Sequence, residues 1–401
     1  MARLVPAQWN PLDALTAHSH GRCWIRLAIG FLLITSPIAC RGYRAREGTS
    51  TRETLVDYRP LPTRGKIICY DSTAEELLMN HTQGSVPYVS RYAWQPAGRS
   101  WRLVRSFRSG RVHPWVASTA ISALDGIPVV VTLAENSSER AVVVAHTFSG
   151  QRRASVTVPY PVVNVALAPT LPVLAGNRGV RSPDAPWPQP LVFINFRTGL
   201  ARLGPTGLSA VPLSESTVLY AEYAERFSAC DIILWSPLTD QRTVVGRYQP
   251  ALGFLSPLPW LPQKIAAHEV STHLSQHPNM FLVDLRTGTK TALLDDAMVA
   301  RPHRLYPLVA YVDHCTQRVG IYCLACWRLL EVDGQLRPYP FTGYHWSVSG
   351  PVLYVPLAET KRGTRRTFPP QTTQLALIDC SSHLSEKAHR LAITKVPFRK
   401  R

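Results

Sequence analysis

The chain has 401 residues, 45% of them hydrophobic and 17% charged, with 34 prolines and a formal net charge of +18. That balance excludes a disordered chain. The charge comes from 37 arginines against seven lysines spread along the whole length, so it does not by itself indicate a nucleic-acid ligand.

The first feature in chain order is LAIGFLLITSPIAC at 27–40, an apolar run preceded by Arg22 and Arg26. It is too short to span a bilayer, which takes ~20 residues, and suits the apolar region of a secretory signal. It ends in Ala39-Cys40, which looks like the end of a bacterial lipobox, where Cys40 would be lipidated. Against this stand Pro37, the long preceding segment, and Arg41, Arg44 and Arg46 just beyond, because positive charge there resists export. The expectation is an exported protein, periplasmic or membrane-anchored, with 1–40 a signal-like segment and 41–63 a tether.

From residue 64 onward one phrase recurs. FINFRTG (193–199) and FLVDLRTG (281–288) each join a β-branched or aromatic run to a small polar cluster ending in glycine. The run reads as a buried strand, and the glycine as a turn residue that reaches positive φ without a Cβ clash. Looser copies place turns at Gly110, Gly150, Asp240 and Gly334, with others near Thr73 and Ser385. A second hairpin lies between successive copies, as in VASTAISALDGIPVVVTLAE and GYHWSVSGPVLYVPLAE. About four strands per 40–50 residues is the signature of a β-propeller, whereas a sandwich of unrelated strands would impose no regular repeat.

The pattern of Asn195 to Gly199 and Asp284 to Gly288 resembles the WD40-like repeats of TolB-type propellers, over roughly 64–401. The usual Ser-Pro-Asp-Gly turn of such blades survives only as fragments such as Ala123 to Gly126. The resemblance implies an all-β propeller, and the repeat length gives about seven four-stranded blades, with six or eight open. The segment 84–113 is short for a blade of its own, so it is expected to close the ring by pairing with the chain end. RSPDAPWPQP (181–190) reads as a long interstrand loop.

Candidate chemical sites are few. HEVSTHLSQH holds His268, His273 and His277, but the first two are five apart rather than the four a zincin helix needs, which favours a surface loop. CLAC places Cys323 and Cys326 at a Cys-x-x-Cys spacing, but on a strand a separation of three puts them on opposite faces. A hairpin centred on Val319 would set Cys315 opposite Cys323, within reach of a disulfide in an oxidising compartment. The dense basic cluster TKRGTRR offers Lys361, Arg362, Arg365 and Arg366 to an anionic surface. No nucleophile elbow or phosphate-cradling loop is present, and no cofactor is implied. The functional expectation is a non-catalytic binding or scaffold protein with a protein partner on the loop face of the ring. The alternative is a propeller enzyme, lyase- or glycosidase-like, with its site at the channel mouth.

Overall fold

The computed structural model describes residues 56–384 apart from 111–120, 169, 180–187, 225–226, 271–278, 314–317, 325–327, 331–343 and 359–371. The chain opens with β1 (Val56–Pro60). Blade one follows as β2 (Lys66–Asp71), β3 (Glu76–Gln83), β4 (Val86–Gln95) and β5 (Ser100–Arg108). Blade two is β6 (Ile121–Leu124), β7 (Ile127–Asn136), β8 (Ala141–Thr147) and β9 (Arg152–Val158). Blade three is β10 (Val162–Leu167), β11 (Val173–Arg178), β12 (Pro190–Asn195) and β13 (Leu200–Thr206). Blade four is β14 (Leu208–Ser214), β15 (Thr217–Tyr223), β16 (Cys230–Trp235) and β17 (Arg242–Tyr248). Blade five is β18 (Leu252–Pro257), β19 (Lys264–Glu269), β20 (Met280–Asp284) and β21 (Lys290–Leu294). Blade six is β22 (Ala297–Pro302), β23 (Leu308–Asp313), β24 (Val319–Cys323) and β25 (Arg328–Leu330). Blade seven takes β26 (His345–Trp346), β27 (Val352–Ala358) and β28 (Thr372–Asp379) from the end of the chain and β1 from its beginning.

All seven sheets are antiparallel and four-stranded, and the first strand of each blade is innermost. The core explains why the strands read as unbroken apolar runs rather than alternating ones. In β12, Leu191, Val192, Phe193 and Ile194 are all fully buried. Successive side chains point to opposite faces. Val192 and Ile194 therefore join the cluster between blades two and three, and Leu191 and Phe193 the cluster between blades three and four. Seven apolar clusters of this kind occupy the seven blade junctions among the described residues.

The repeated phrase lies where its spacing predicts. FINFRTG and FLVDLRTG fall on the third strands of blades three and five. In the first, Asn195 Oδ1 accepts from the Arg197 and Thr198 amides at 2.9 and 3.2 Å. In the second, Asp284 Oδ1 accepts from Arg286 and Thr287 at 2.9 and 3.1 Å. Gly199 and Gly288 both sit at φ +70°, and Gly150 and Asp240 have positive φ in the equivalent turns of blades two and four.

Two expectations are corrected. Gly110 is not a turn: it ends blade one and packs on the backbone of β7, where a Cβ would overlap the Leu133 carbonyl. Close approach, not positive φ, requires that glycine; the turn of blade one is at 96–99, with Arg99 at φ +44°. The turns expected at Gly334 and Ser385 lie outside the described residues. Ring closure is the second. The strands of 84–113 form a hairpin inside blade one, and the strand that closes the ring is β1, from the stretch read as a tether.

Candidate functional site

β10, β14, β18 and β22 touch one another in turn around the axis, so the innermost strands form the channel wall. Several of them are bulged against their neighbours. In blades three, four and five the shift in register falls after Val163, Leu208 and Gly253, so that two residues face one on the second strand. A bulge of this type re-aims a side chain. The first residue of each pair, Asn164, Ser209 or Phe254, has φ of +51°, +54° or +50°. The second, Val165, Ala210 or Leu255, is buried in the core. Three consecutive blades thus place an amide, a hydroxyl and an aromatic ring at equivalent bulge positions of the channel wall, 45 residues apart. Asn164 and Ser209 are half-buried, the Ser209 hydroxyl bonding the Tyr223 phenol, and Phe254 is exposed.

Phe254 stands out in this arc. It is 58% exposed, although it lies on the innermost strand of a buried sheet. A bulky side chain at positive φ is a backbone outlier that costs on the order of 1–3 kcal/mol and persists only where the surroundings over-determine it. Here the surroundings are visible. The ring meets His268 edge-on at 6.4 Å between centroids. His268 Nε2 accepts from the Ala300 amide at 2.7 Å, which leaves Nδ1 to donate to the Ala297 carbonyl at 3.0 Å. One imidazole therefore fixes both the platform of blade five and the bulged strand of blade six.

Charge is scarce on this wall. The described innermost strands carry three charged side chains, Lys66, Asp71 and Arg301. Asp71 Oδ1 accepts from the Thr73 and Ala74 amides at 3.0 Å and from Ser349 Oγ at 2.6 Å, tying blade seven to blade one. Burial holds the Arg301 guanidinium below its usual range, and it stacks over Tyr344 at 5.7 Å. Lys66 is exposed at the start of its strand. Among the described residues no three His, Cys, Asp or Glu side chains come together in the way a metal site needs.

The residues singled out in the sequence fare differently. His268 is buried between blades, not on a surface loop, and His273 and His277 lie outside the described residues. Cys323 is fully buried opposite Leu308, because β23 and β24 pair Val312 with Val319. The hairpin is therefore not centred on Val319, and the expected opposition of Cys315 and Cys323 is not the register found. Cys315, Cys326, Cys40, Lys361, Arg362, Arg365 and Arg366 lie outside the described residues. The bulge arc escaped the sequence reading because its three positions hold unlike residues, and only their constant interval could have shown it.

No protein-family model and no curated protein matches the sequence. Among solved structures the chain is similar to an oligogalacturonate lyase in complex with manganese, at 9% identity and TM-score 0.51, over 83% of this chain and 98% of that one. It is similar to the acylaminoacyl peptidase of Pyrococcus horikoshii at 10% identity and TM-score 0.50, over 76% of this chain and 49% of that one. TolB from Acinetobacter baumannii is also among the neighbours, at 12% identity and TM-score 0.40, over 76% and 79% of the two chains. At these identities the likeness is one of fold, in keeping with the TolB-type resemblance of the repeats: the chain is an all-β propeller of seven four-stranded blades.

Proposed function

We propose that the protein is an exported or envelope-associated propeller that binds a partner segment in its channel, with Asn164, Ser209 and Phe254 as the contact arc and no chemistry performed on the partner. The observation that carries this reading is Phe254, exposed and held at positive φ by its neighbours. An exposed aromatic ring on a concave wall is the kind of anchor on which binding energy concentrates. A lyase- or glycosidase-like enzyme would instead bring carboxylates and a histidine together on the wall. The wall's Asp71 is engaged in a blade junction, its His345 is buried, and His268 behind it is used up by backbone bonds.

Phe254→Gly separates strain from binding. The variant relieves the positive-φ penalty and leaves stability within about 1 kcal/mol of the parent or above it, while affinity for the partner falls about tenfold or more. Thermal unfolding and quantitative capture of crosslinked partner from the cell envelope read the two effects. Unchanged capture with Phe254→Gly sinks the arc as the contact site, and turnover of an oligosaccharide or peptide by the parent protein sinks the non-catalytic reading.

Export rests on the apolar run at 27–40 with Arg22 and Arg26 before it. Intact-mass measurement of native protein is expected to show loss of about the first 39 residues, with Cys40→Ser releasing an anchored form to the soluble fraction. Retention of Met1 on a cytoplasmic protein overturns it.

A further inference from the structure

Outside the channel, the rim of blades one and two carries a cluster of exposed arginines among the described residues. β5 is the outermost strand of blade one and pairs with β4 on one side, so its other edge carries unpaired backbone groups among the described residues. Of its nine residues only Trp101 and Phe107 are even partly covered. Arg102, Arg105 and Arg108 on it are exposed, and the exposed Arg152 and Arg153 open β9 in the next blade.

The two strands form one surface. Phe107 packs on His146 at 5.4 Å between centroids and against the turn at Gly150, where a Cβ would come within 2.7 Å of the ring. His146 is paired across the ladder with Arg152. A bulge in the β4–β5 ladder also matters. It pairs Arg102 with Ala93 and Arg105 with Arg91, leaving Val104 as the extra residue. Without it, side chains three apart would face opposite ways; with it, Arg102 and Arg105 share the face that Phe107 turns toward blade two.

None of the five arginines has a carboxylate within ion-pair distance among the described residues. The neighbouring acids are already committed. Glu76 is held in a two-bond pair by Arg91, at 2.7 and 2.6 Å, and Glu135 is held by Arg140 at 2.8 Å. One or two charges suffice to keep an edge strand from pairing with its own kind. Five unneutralised charges go further, since they repel a second copy and attract an acidic chain.

We propose that this rim binds an acidic, extended segment of a partner protein, which adds to β5 as a fifth strand of blade one. The open backbone edge supplies main-chain hydrogen bonds. Alternate carboxylates of the added strand take Arg102 and Arg105 in paired, charge-assisted bonds, with Arg152 and Arg153 continuing the positive surface beyond. The surface is separate from the channel, so it stands whether or not the channel binds a partner.

The probe is a fluorescent nine-residue peptide, matching the length of β5, that alternates glutamate with valine. Anisotropy with the full chain is expected to show saturable binding that weakens as salt is raised. Replacing every glutamate by glutamine, or methylating alternate backbone nitrogens, weakens it about tenfold or more. The double variant R102E/R105E does the same with an unchanged thermal midpoint, whereas R242E/R247E on the outer strand of blade four has no effect. An N-methylated peptide that binds as well as its parent overturns strand addition, and an unaffected R102E/R105E variant overturns the site. Stronger retention on phosphatidylglycerol vesicles than on the peptide, lost in R102E/R105E, assigns the rim to a membrane surface and overturns the proposal.

Discussion

A chain begun at residue 62, lacking β1, is expected to lose several kcal/mol of stability and to aggregate or swap strands on refolding, while one begun at residue 56 behaves like the full chain. β1 is the only strand of blade seven from the beginning of the chain, and it pairs with β28 over five residues, from Val56 opposite Ile378 to Pro60 opposite Gln374. Its loss bares the edge of β28 and unties the ring. It also removes Arg59, which packs over Trp94 at 4.6 Å and pairs with Asp57 and Glu75 at 2.7 and 3.0 Å. The Trp101 indole loses its bond to the Pro60 carbonyl at 2.7 Å. At about 1 kcal/mol per backbone hydrogen bond, five residues of ladder outweigh any single contact in the blade. Chemical unfolding followed by tryptophan fluorescence and size-exclusion chromatography gives the comparison. Moving 56–61 to follow residue 384 should restore most of the loss, because the strand needs its place in the sheet and not its place in the chain. A truncated chain as stable as the parent rules out β1 as the closure.

That strand also marks where the sequence stops being legible. VDYRP is short, charged and ends in proline, so it reads as a tether; its strand character comes from β28, whose open edge accepts it. The turns at Gly199 and Gly288 are legible because their chemistry is local. An Asn or Asp carbonyl or carboxylate oxygen caps the two amides that follow, and glycine takes the positive φ, all within five residues. Gly110 follows the same local spelling, a polar cluster ending in glycine, and means something else. Its requirement comes from Leu133 in another blade, which no local pattern reports. The hairpin of β23 and β24 shows a third failure. Placing the turn at Val319 put an apolar β-branched residue in a loop, and the structure restores it to the strand opposite Val312.

The candidate site was less legible than the fold for a related reason. Positive φ is written plainly when glycine supplies it, and Asn164, Ser209 and Phe254 supply it without glycine. The glycine of blade three is instead across the ladder. Gly176 faces the bulge from β11, where a Cβ would come within 2.8 Å of the Val163 carbonyl. His268 was visible, but its role depends on Ala297 and Ala300 of the next blade, and those contacts are set by how blades stack.

His268 and His303 lead to the second large effect, a loss of stability in acid that begins near pH 6.5. Both imidazoles are buried, and burial holds each of them neutral. His303 Nδ1 accepts from the Leu305 and Tyr306 amides at 2.9 and 3.1 Å, so Nε2 donates to the Gly350 carbonyl at 3.0 Å and links blade six to blade seven. Protonation would set a new N–H against amide donors, Ala300 in one case and Leu305 and Tyr306 in the other. Burial lowers His268 from 6.5 to about 4, partly offset by its bond to Ala297, and lowers His303 to about 3, with Arg304 adding to the effect.

The sign follows from the unfolded chain. Below pH 6.5 the unfolded imidazoles take up protons that the folded ones refuse, so acid favours unfolding until the folded values are reached. At about 1.4 kcal/mol per pH unit for each group, the pair costs on the order of 6 kcal/mol between pH 6.5 and 4, comparable with the whole net stability of a typical domain. His81 and His146, which burial also holds below the usual range, act in the same direction. Blade three suggests the control. Asn177 occupies the position of His268, paired with the residue before the bulge, and its amide donates to the Gly207 carbonyl at 2.8 Å without titrating. His268→Asn is therefore expected to lose some stability at neutral pH and to reduce the acid slope by about one proton. Urea unfolding at a series of pH values from 7 to 4 measures both. A parent protein equally stable across that range, or an H268N slope unchanged from the parent's, would show that these imidazoles do not hold the blades together in the neutral form.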